Sequence, residues 1–260
     1  TSIQPISDVP FQPDMTWIKR RDGTNSSQLV DSVRGAGKWL ESSGNAAEQS
    51  SNTNGVLTTF NLNGFNLTGG STNANLCCED GFTYVSWNWK AGGNNNTFNV
   101  DDVGYASAAA AGLNGGTITP TGASVGTKQG FSIIGYTGTG SAGTLSHGLS
   151  QAPGLIIMKG RNFTDDWRVY HSYLDSSEPE DYYLILQSTN GKSADQGASF
   201  MNDTAPTNTV FSLGTDSAIN GSSRTMIAYC WHDVPGLQKF GKYEGNGSAS
   251  DGVFVYLGFR

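Results

Sequence analysis

The chain repeats itself, and this constrains its fold more than any other feature. Pro13-Asp14-Met15-Thr16-Trp17-Ile18-Lys19-Arg20-Arg21 aligns with Pro153-Gly154-Leu155-Ile156-Ile157-Met158-Lys159-Gly160-Arg161. Each is a proline, an apolar run, then a lysine and an arginine two apart. Thr83-Tyr84-Val85-Ser86-Trp87-Asn88-Trp89 aligns with Thr225-Met226-Ile227-Ala228-Tyr229-Cys230-Trp231, and Tyr136-Thr137-Gly138-Thr139-Gly140-Ser141-Ala142 with Tyr243-Glu244-Gly245-Asn246-Gly247-Ser248-Ala249. The first two pairs lie 140 and 142 positions apart and the third 107. About 35 residues between Gly93 and Gly130 are therefore present only once, an insertion on a duplicated scaffold. Such internal similarity implies one structural unit used twice, and asks what each unit is made of.

The units read as strands. Met15 to Arg21, Gln28 to Val33, Lys38 to Glu41, Leu57 to Leu62 and Phe82 to Lys90 are short aromatic and β-branched runs bounded by Gly, Asn or Ser. Leu155 to Lys159, Trp167 to Tyr173, Tyr182 to Gln187, Val210 to Leu213 and Arg224 to Trp231 answer them in the second copy, with Phe131 to Tyr136 and Gly252 to Phe259 near the copy ends. No stretch of helical length carries a helical period. The insertion offers one short helix, Tyr105 to Ala111, stopped by Gly112. The expected fold is all-β, an antiparallel β-sandwich or jelly roll in two tandem related repeats. Their expected limits are 1–145, with the insertion at about 94–129, and 146–260.

Composition agrees. Glycine supplies 35 of 260 residues, nearly twice the usual share of about 7%, as many tight turns require. Charged residues are only 14% while aromatics are 11%, so core material is present and disorder is excluded. A net charge of −7 argues against sequence-independent nucleic-acid binding, which needs clustered Lys and Arg. No apolar run approaches the roughly 20 residues that span a bilayer, so no membrane insertion is expected. Thr1 is not followed by a basic and then an apolar region, so no secretory signal is visible. Three cysteines, Cys77, Cys78 and Cys230, do not make a disulfide framework.

Catalytic constellations are sparse. Gly138-x-Gly140-x-x-Gly143 runs into Thr144-Leu145-Ser146, a strand where a dinucleotide fingerprint needs a helix, and reads as a hairpin turn. His147, His171 and His232 are scattered without zinc-site spacing. Asp175, Glu178, Glu180 and Asp181 crowd a Ser-Ser-Glu-Pro-Glu-Asp turn. They read as a solvated loop, with calcium the sharper alternative because oxygen-rich loops suit that ion; Asp101-Asp102 is read the same way. Trp87 and Trp89 share a strand face and recur as Tyr229 and Trp231, a core signal. Trp39, Trp167, Tyr182 and Tyr183 sit nearer polar segments and are the candidates for stacking on sugar rings.

The segments Phe11 to Arg21, Leu29 to Lys38, Phe60 to Phe65 and Thr83 to Lys90 resemble repeats in structural proteins of marine tailed bacteriophages. Asp101 to Tyr105, Ser146 to Leu149, Ala205 to Thr207 and Val210 to Gly214 extend the resemblance over nearly the whole chain. It implies a laminin-G or concanavalin-like jelly roll and a place on the virion, in a tail fibre or surface decoration. It brings no catalytic residues. The expected function is therefore a virion structural protein, not an enzyme, that assembles with itself (a trimer is the guess), contacts other virion proteins and meets host surface glycan. A polysaccharide-degrading enzyme on a concanavalin-like sandwich, or a packing protein with no ligand, is the alternative. Gly252 to Arg260 resembles the strand before a proline-led motif, as Thr144 to Leu149 precedes Pro153. That suggests a module of a longer fibre, or an end strand that pairs across a subunit contact.

Overall fold

The computed structural model describes residues 3–50, 53–194 and 198–259. Among these, the strands form four sheets. The first runs β1 (Ile3–Ile6), β6 (Gly64–Thr68), β5 (Val56–Asn61). The second runs β4 (Leu40–Glu41), β3 (Gln28–Asp31), β2 (Met15–Arg20), β7 (Tyr84–Trp89). The third has nine strands: β16 (Ser193–Ala194), β15 (Tyr182–Ile185), β14 (Arg168–His171), β13 (Leu155–Gly160), β18 (Thr225–Trp231), β11 (Phe131–Thr137), β10 (Pro120–Gly126), β8 (Phe98–Val100) and β9 (Val103–Tyr105). The fourth pairs β12 (Gly143–Ser146) with β17 (Val210–Leu213). Pairing is antiparallel except between β8 and β10.

Alternation along the strands stacks these sheets in that order. On β2, Ile18 points into a core with Leu57, Phe65 and Leu67 of the first sheet. Met15 and Trp17 point the other way, toward Tyr229, Trp231, Leu155 and Ile157 of the third. On β13 and β18, Ile156, Met158, Met226, Ala228 and Cys230 face Leu145, Phe211 and Leu213 of the fourth. The chain is thus two sandwiches set back to back, with a third apolar layer between them.

Backbone pairing follows the sequence offsets closely. Met15 is opposite Trp89 and Asp31, and Leu155 is opposite Trp231 and His171. Asp14 N donates to Trp89 O as Gly154 N donates to Trp231 O, both at 2.8 Å. Ser32 N bonds Asp14 O at 2.8 Å, and Ser172 N bonds Gly154 O at 2.9 Å.

Polar groups couple the halves. Tyr229, whose hydroxyl is pushed well above its ordinary range by burial, donates to Asp31 Oδ2 at 2.6 Å. The same oxygen accepts Arg34 Nε at 2.5 Å, with both side chains fully buried. Trp167 Nε1 donates to Glu41 O and Gly44 O at 2.9 and 3.1 Å, and Arg161 reaches Glu48 at 2.9 Å.

Several expectations need correction. Gly252–Phe259 is unpaired, and exposed as far as Gly258, not a strand. Tyr105 ends β9, and residues 106–112 form turns rather than a helix. Ala111 N bonds Ser107 O and Leu113 N bonds Ala108 O around Gly112 at φ 72°, a single closed turn. The one α-helical turn among the described residues is α1 (Ser217–Asn220), capped by Asp216 Oδ1 on Ala218 N at 2.9 Å. The Gly138–Gly143 stretch is a crossover from the third sheet to the fourth, not a hairpin. There a Cβ on Gly138 would lie 2.3 Å from Gly221 O, so only glycine fits. The third sheet draws strands from both sides of residue 145, β8 to β11 joining β18.

Beside β12, His147 is buried with Nδ1 accepting from Leu149 N and Nε2–H donating to Thr207 O, both at 3.1 Å. Burial pulls its pKa down to about 4. The unfolded chain binds this proton below about pH 6.5 while the folded protein refuses it until about pH 4, so stability falls as pH drops through that window. The single proton is worth about 3 kcal/mol across it. We expect His147→Gln to flatten the stability profile between pH 6.5 and 4 in urea titrations; an unchanged slope would show that another group carries it.

Candidate functional site

A polar cleft lies where β13 begins and β14 and β18 end. It measures ≈ 340 Å³, and its lining includes Gln151, Gly154, Tyr173, His232, Asp233 and Phe240. That size suits a monosaccharide-sized ligand. Tyr173 is 49% exposed. His171 Nδ1 accepts from Tyr173 N at 3.1 Å, and the His171 ring sits 5.8 Å from Tyr173 and 6.5 Å from Phe240. Burial lowers the His171 pKa, with Asp233 partly opposing, which favours a neutral ring beside Tyr173 and Phe240. His232 Nδ1 donates to Asp233 O at 2.6 Å. Asp233 Oδ1 accepts from Phe240 N at 2.7 Å, which holds Phe240 at the cleft edge. Apolar ring surface beside amide, hydroxyl and carboxylate groups is the chemistry that grips a sugar's two faces.

The cleft borders Gly154, which the sequence alignment sets against Asp14. The buried Asp14 carboxylate accepts from Ala91 N at 2.7 Å, Gly93 N at 3.2 Å and Ser32 Oγ at 3.0 Å. Burial is the largest influence on Asp14 and raises its pKa. Gly154 carries no such group, and a Cβ there would meet nothing closer than Ser172 Oγ at 3.6 Å.

The aromatic candidates are elsewhere. Trp167 is 0% exposed and belongs to the layer between the halves, so it offers no ring face to a sugar. Trp39 is buried in the core between the first two sheets. Tyr182 and Tyr183 are half-buried on β15, each already facing a cation: Lys192 lies 3.8 Å from the Tyr182 ring and Arg168 4.7 Å from that of Tyr183. Asp175 pairs with Lys192 at 2.9 Å. Burial, then Asp203, Glu178 and Glu180, raise the Asp181 pKa. Among the described residues no group of three or more His, Cys, Asp or Glu side chains is placed to hold a metal ion. The three cysteines are free thiols. Tyr173, His232, Asp233 and Phe240 were missed because they come from three separate segments. The one available signal was glycine at position 154 where the first copy has aspartate.

A family model described as a domain of unknown function, DUF7483, matches residues 1–260, the full length. No curated protein and no solved structure matches the chain.

Proposed function

The chain belongs to the DUF7483 family, and we propose that this member is a self-assembling structural protein of a phage virion surface that contacts host glycan. One observation carries the assembly reading: part of the exposed apolar surface is contiguous. Phe82 and Trp87 stand along one sheet edge, and Val253, Phe254, Val255, Tyr256 and Leu257 form a continuous exposed run. Contiguous apolar surface of this kind marks an interface. The virion assignment comes from the resemblance in sequence. Amide hydrogen exchange tests assembly directly: protection at 84–89 and 252–257 should rise with protein concentration, and concentration-independent exchange in both segments would count against it.

The cleft supports the glycan part. Gly154→Asp puts a carboxylate at the border of the cleft, and we expect it to abolish binding of host-envelope oligosaccharides while leaving the melting temperature unchanged or higher. Tyr173→Ala should weaken binding about tenfold, as loss of one aromatic contact does. Retained binding in both variants would move the glycan site elsewhere. Reducing-end release from the same polysaccharide, lost in Glu178→Gln or Glu180→Gln, would favour the hydrolase instead.

A further inference from the structure

The two sandwiches are not equally complete. In the second, β11 lies on the outer edge of β18, Phe131 opposite Trp231 through Thr137 opposite Thr225. Alternate β11 side chains then fill both faces: Ile134 and Tyr136 enter the outer core, and Phe131 and Ile133 enter the layer between the halves. The first sandwich has no such strand. Among the described residues β7 pairs with β2 alone, so its outer edge is open. Beside that edge is an apolar cavity of ≈ 290 Å³ lined by Ile6, Ile18, Phe65, Leu67, Phe82 and Tyr84. On the opposite face Trp87 stands 47% exposed, 6.0 Å from the Trp17 ring. The edge therefore wants a strand that is apolar on both faces.

The chain carries one. Gly252-Val253-Phe254-Val255-Tyr256-Leu257 matches β7 in length, is apolar at every position after its glycine, and is unpaired. Phe254 and Tyr256 are 85% and 76% exposed. We propose that the open edge of β7 is a strand-acceptor site, and that it takes residues 252–257 of a second copy of this chain in antiparallel pairing. With Gly252 opposite Trp89 and Leu257 opposite Tyr84, Phe254 and Tyr256 then cover Trp87 and Val85, while Val253, Val255 and Leu257 take the face that holds the cavity. Antiparallel addition also sets Asp251 beside Lys90 at the far end of β7, where it joins the Lys90–Asp102 ion pair of 2.6 Å. A second copy is the occupant proposed because the chain's own segment lies elsewhere in this structure, its end beside the Asp233–Lys239 turn and not on β7. Gln238 Nε2 donates to Gly130 O and His232 O at 3.1 and 2.7 Å, Phe240 N is fixed on Asp233, and Leu257–Phe259 lie against the Asp233–Lys239 turn. Each added copy brings a new open edge and a new tail, a head-to-tail contact that propagates unless it closes into a ring.

This inference rests on the assembly reading, and the test separates the two. Phe254→Asp/Tyr256→Asp changes only exposed side chains, so the full-length variant should fold as the parent does and lose association. A labelled peptide spanning Ser250 to Phe259 is then titrated onto that variant and followed by fluorescence anisotropy. Saturable binding, abolished by the same two aspartates in the peptide, is expected. A parent protein that associates as strongly as its double variant would overturn strand donation while leaving assembly intact. A peptide that does not bind would overturn the acceptor site whatever the parent's mass. Intramolecular crosslinking of the tail to β7 in a monomer would show that the chain fills its own edge, and would overturn the second copy as occupant.

Discussion

Arg34→Met should cost the folded protein about 3–5 kcal/mol, the penalty for leaving a buried charge without its partner. Arg34 is fully buried, bonds Asp31 Oδ2 at 2.5 Å and Leu29 O at 2.7 Å, and approaches Glu48 at 3.4 Å. The same Asp31 oxygen accepts the Tyr229 hydroxyl from the other half, so losing the guanidinium strands a carboxylate in the layer that joins the sandwiches. Asp31→Leu combined with Arg34→Met removes both charges, and we expect the double variant to recover most of the single variant's loss. Tyr229→Phe should cost less, about 1.5–3 kcal/mol for one bond to a charged group. Urea unfolding of the parent, Arg34→Met, Asp31→Leu and the double variant completes the cycle, with Tyr229→Phe measured beside it. A cost below about 1 kcal/mol for Arg34→Met would mean that water reaches the pair and that this layer is looser than described.

Trp167→Ala should be comparably damaging, about 3–5 kcal/mol for emptying a large buried site. Trp167→Phe keeps most of the packing but loses the indole bonds to Glu41 O and Gly44 O, and should cost about 1–2 kcal/mol. The distinction matters because a tryptophan that stacked on sugar would behave in the opposite way, with stability kept and ligand binding lost. Thermal melts together with oligosaccharide titrations of Trp167→Phe tell these apart. A folded Trp167→Ala protein of parental stability would contradict the burial described above.

The short strands were legible because β-branched and aromatic runs between glycines and asparagines leave the backbone little else to do. Their register was legible too, since Thr83–Trp89 and Thr225–Trp231 meet proline-led partners at matching offsets. What failed depended on partners distant in sequence. Trp167 follows Asp165 and Asp166, and local polarity suggested a surface, yet its ring lies beneath the 41–44 turn of the other half. Residues 252–257 look like a strand, but a strand forms only against an edge, and among the described residues this segment pairs with none. Tyr105–Ala111 is too short to pay for helix nucleation alone, although Gly112 did mark the reversal. The cleft was hidden for a related reason: no local spacing joins Gly154, Tyr173 and His232, and only comparison of Gly154 with Asp14 hinted at a space.

The most direct measurement is the mass of the intact chain in solution, by light scattering coupled to size exclusion over a range of concentrations. A subunit completed by its neighbours should elute as species well above 27.5 kDa, growing with concentration. A 27.5 kDa particle at every concentration would contradict assembly as the protein's role.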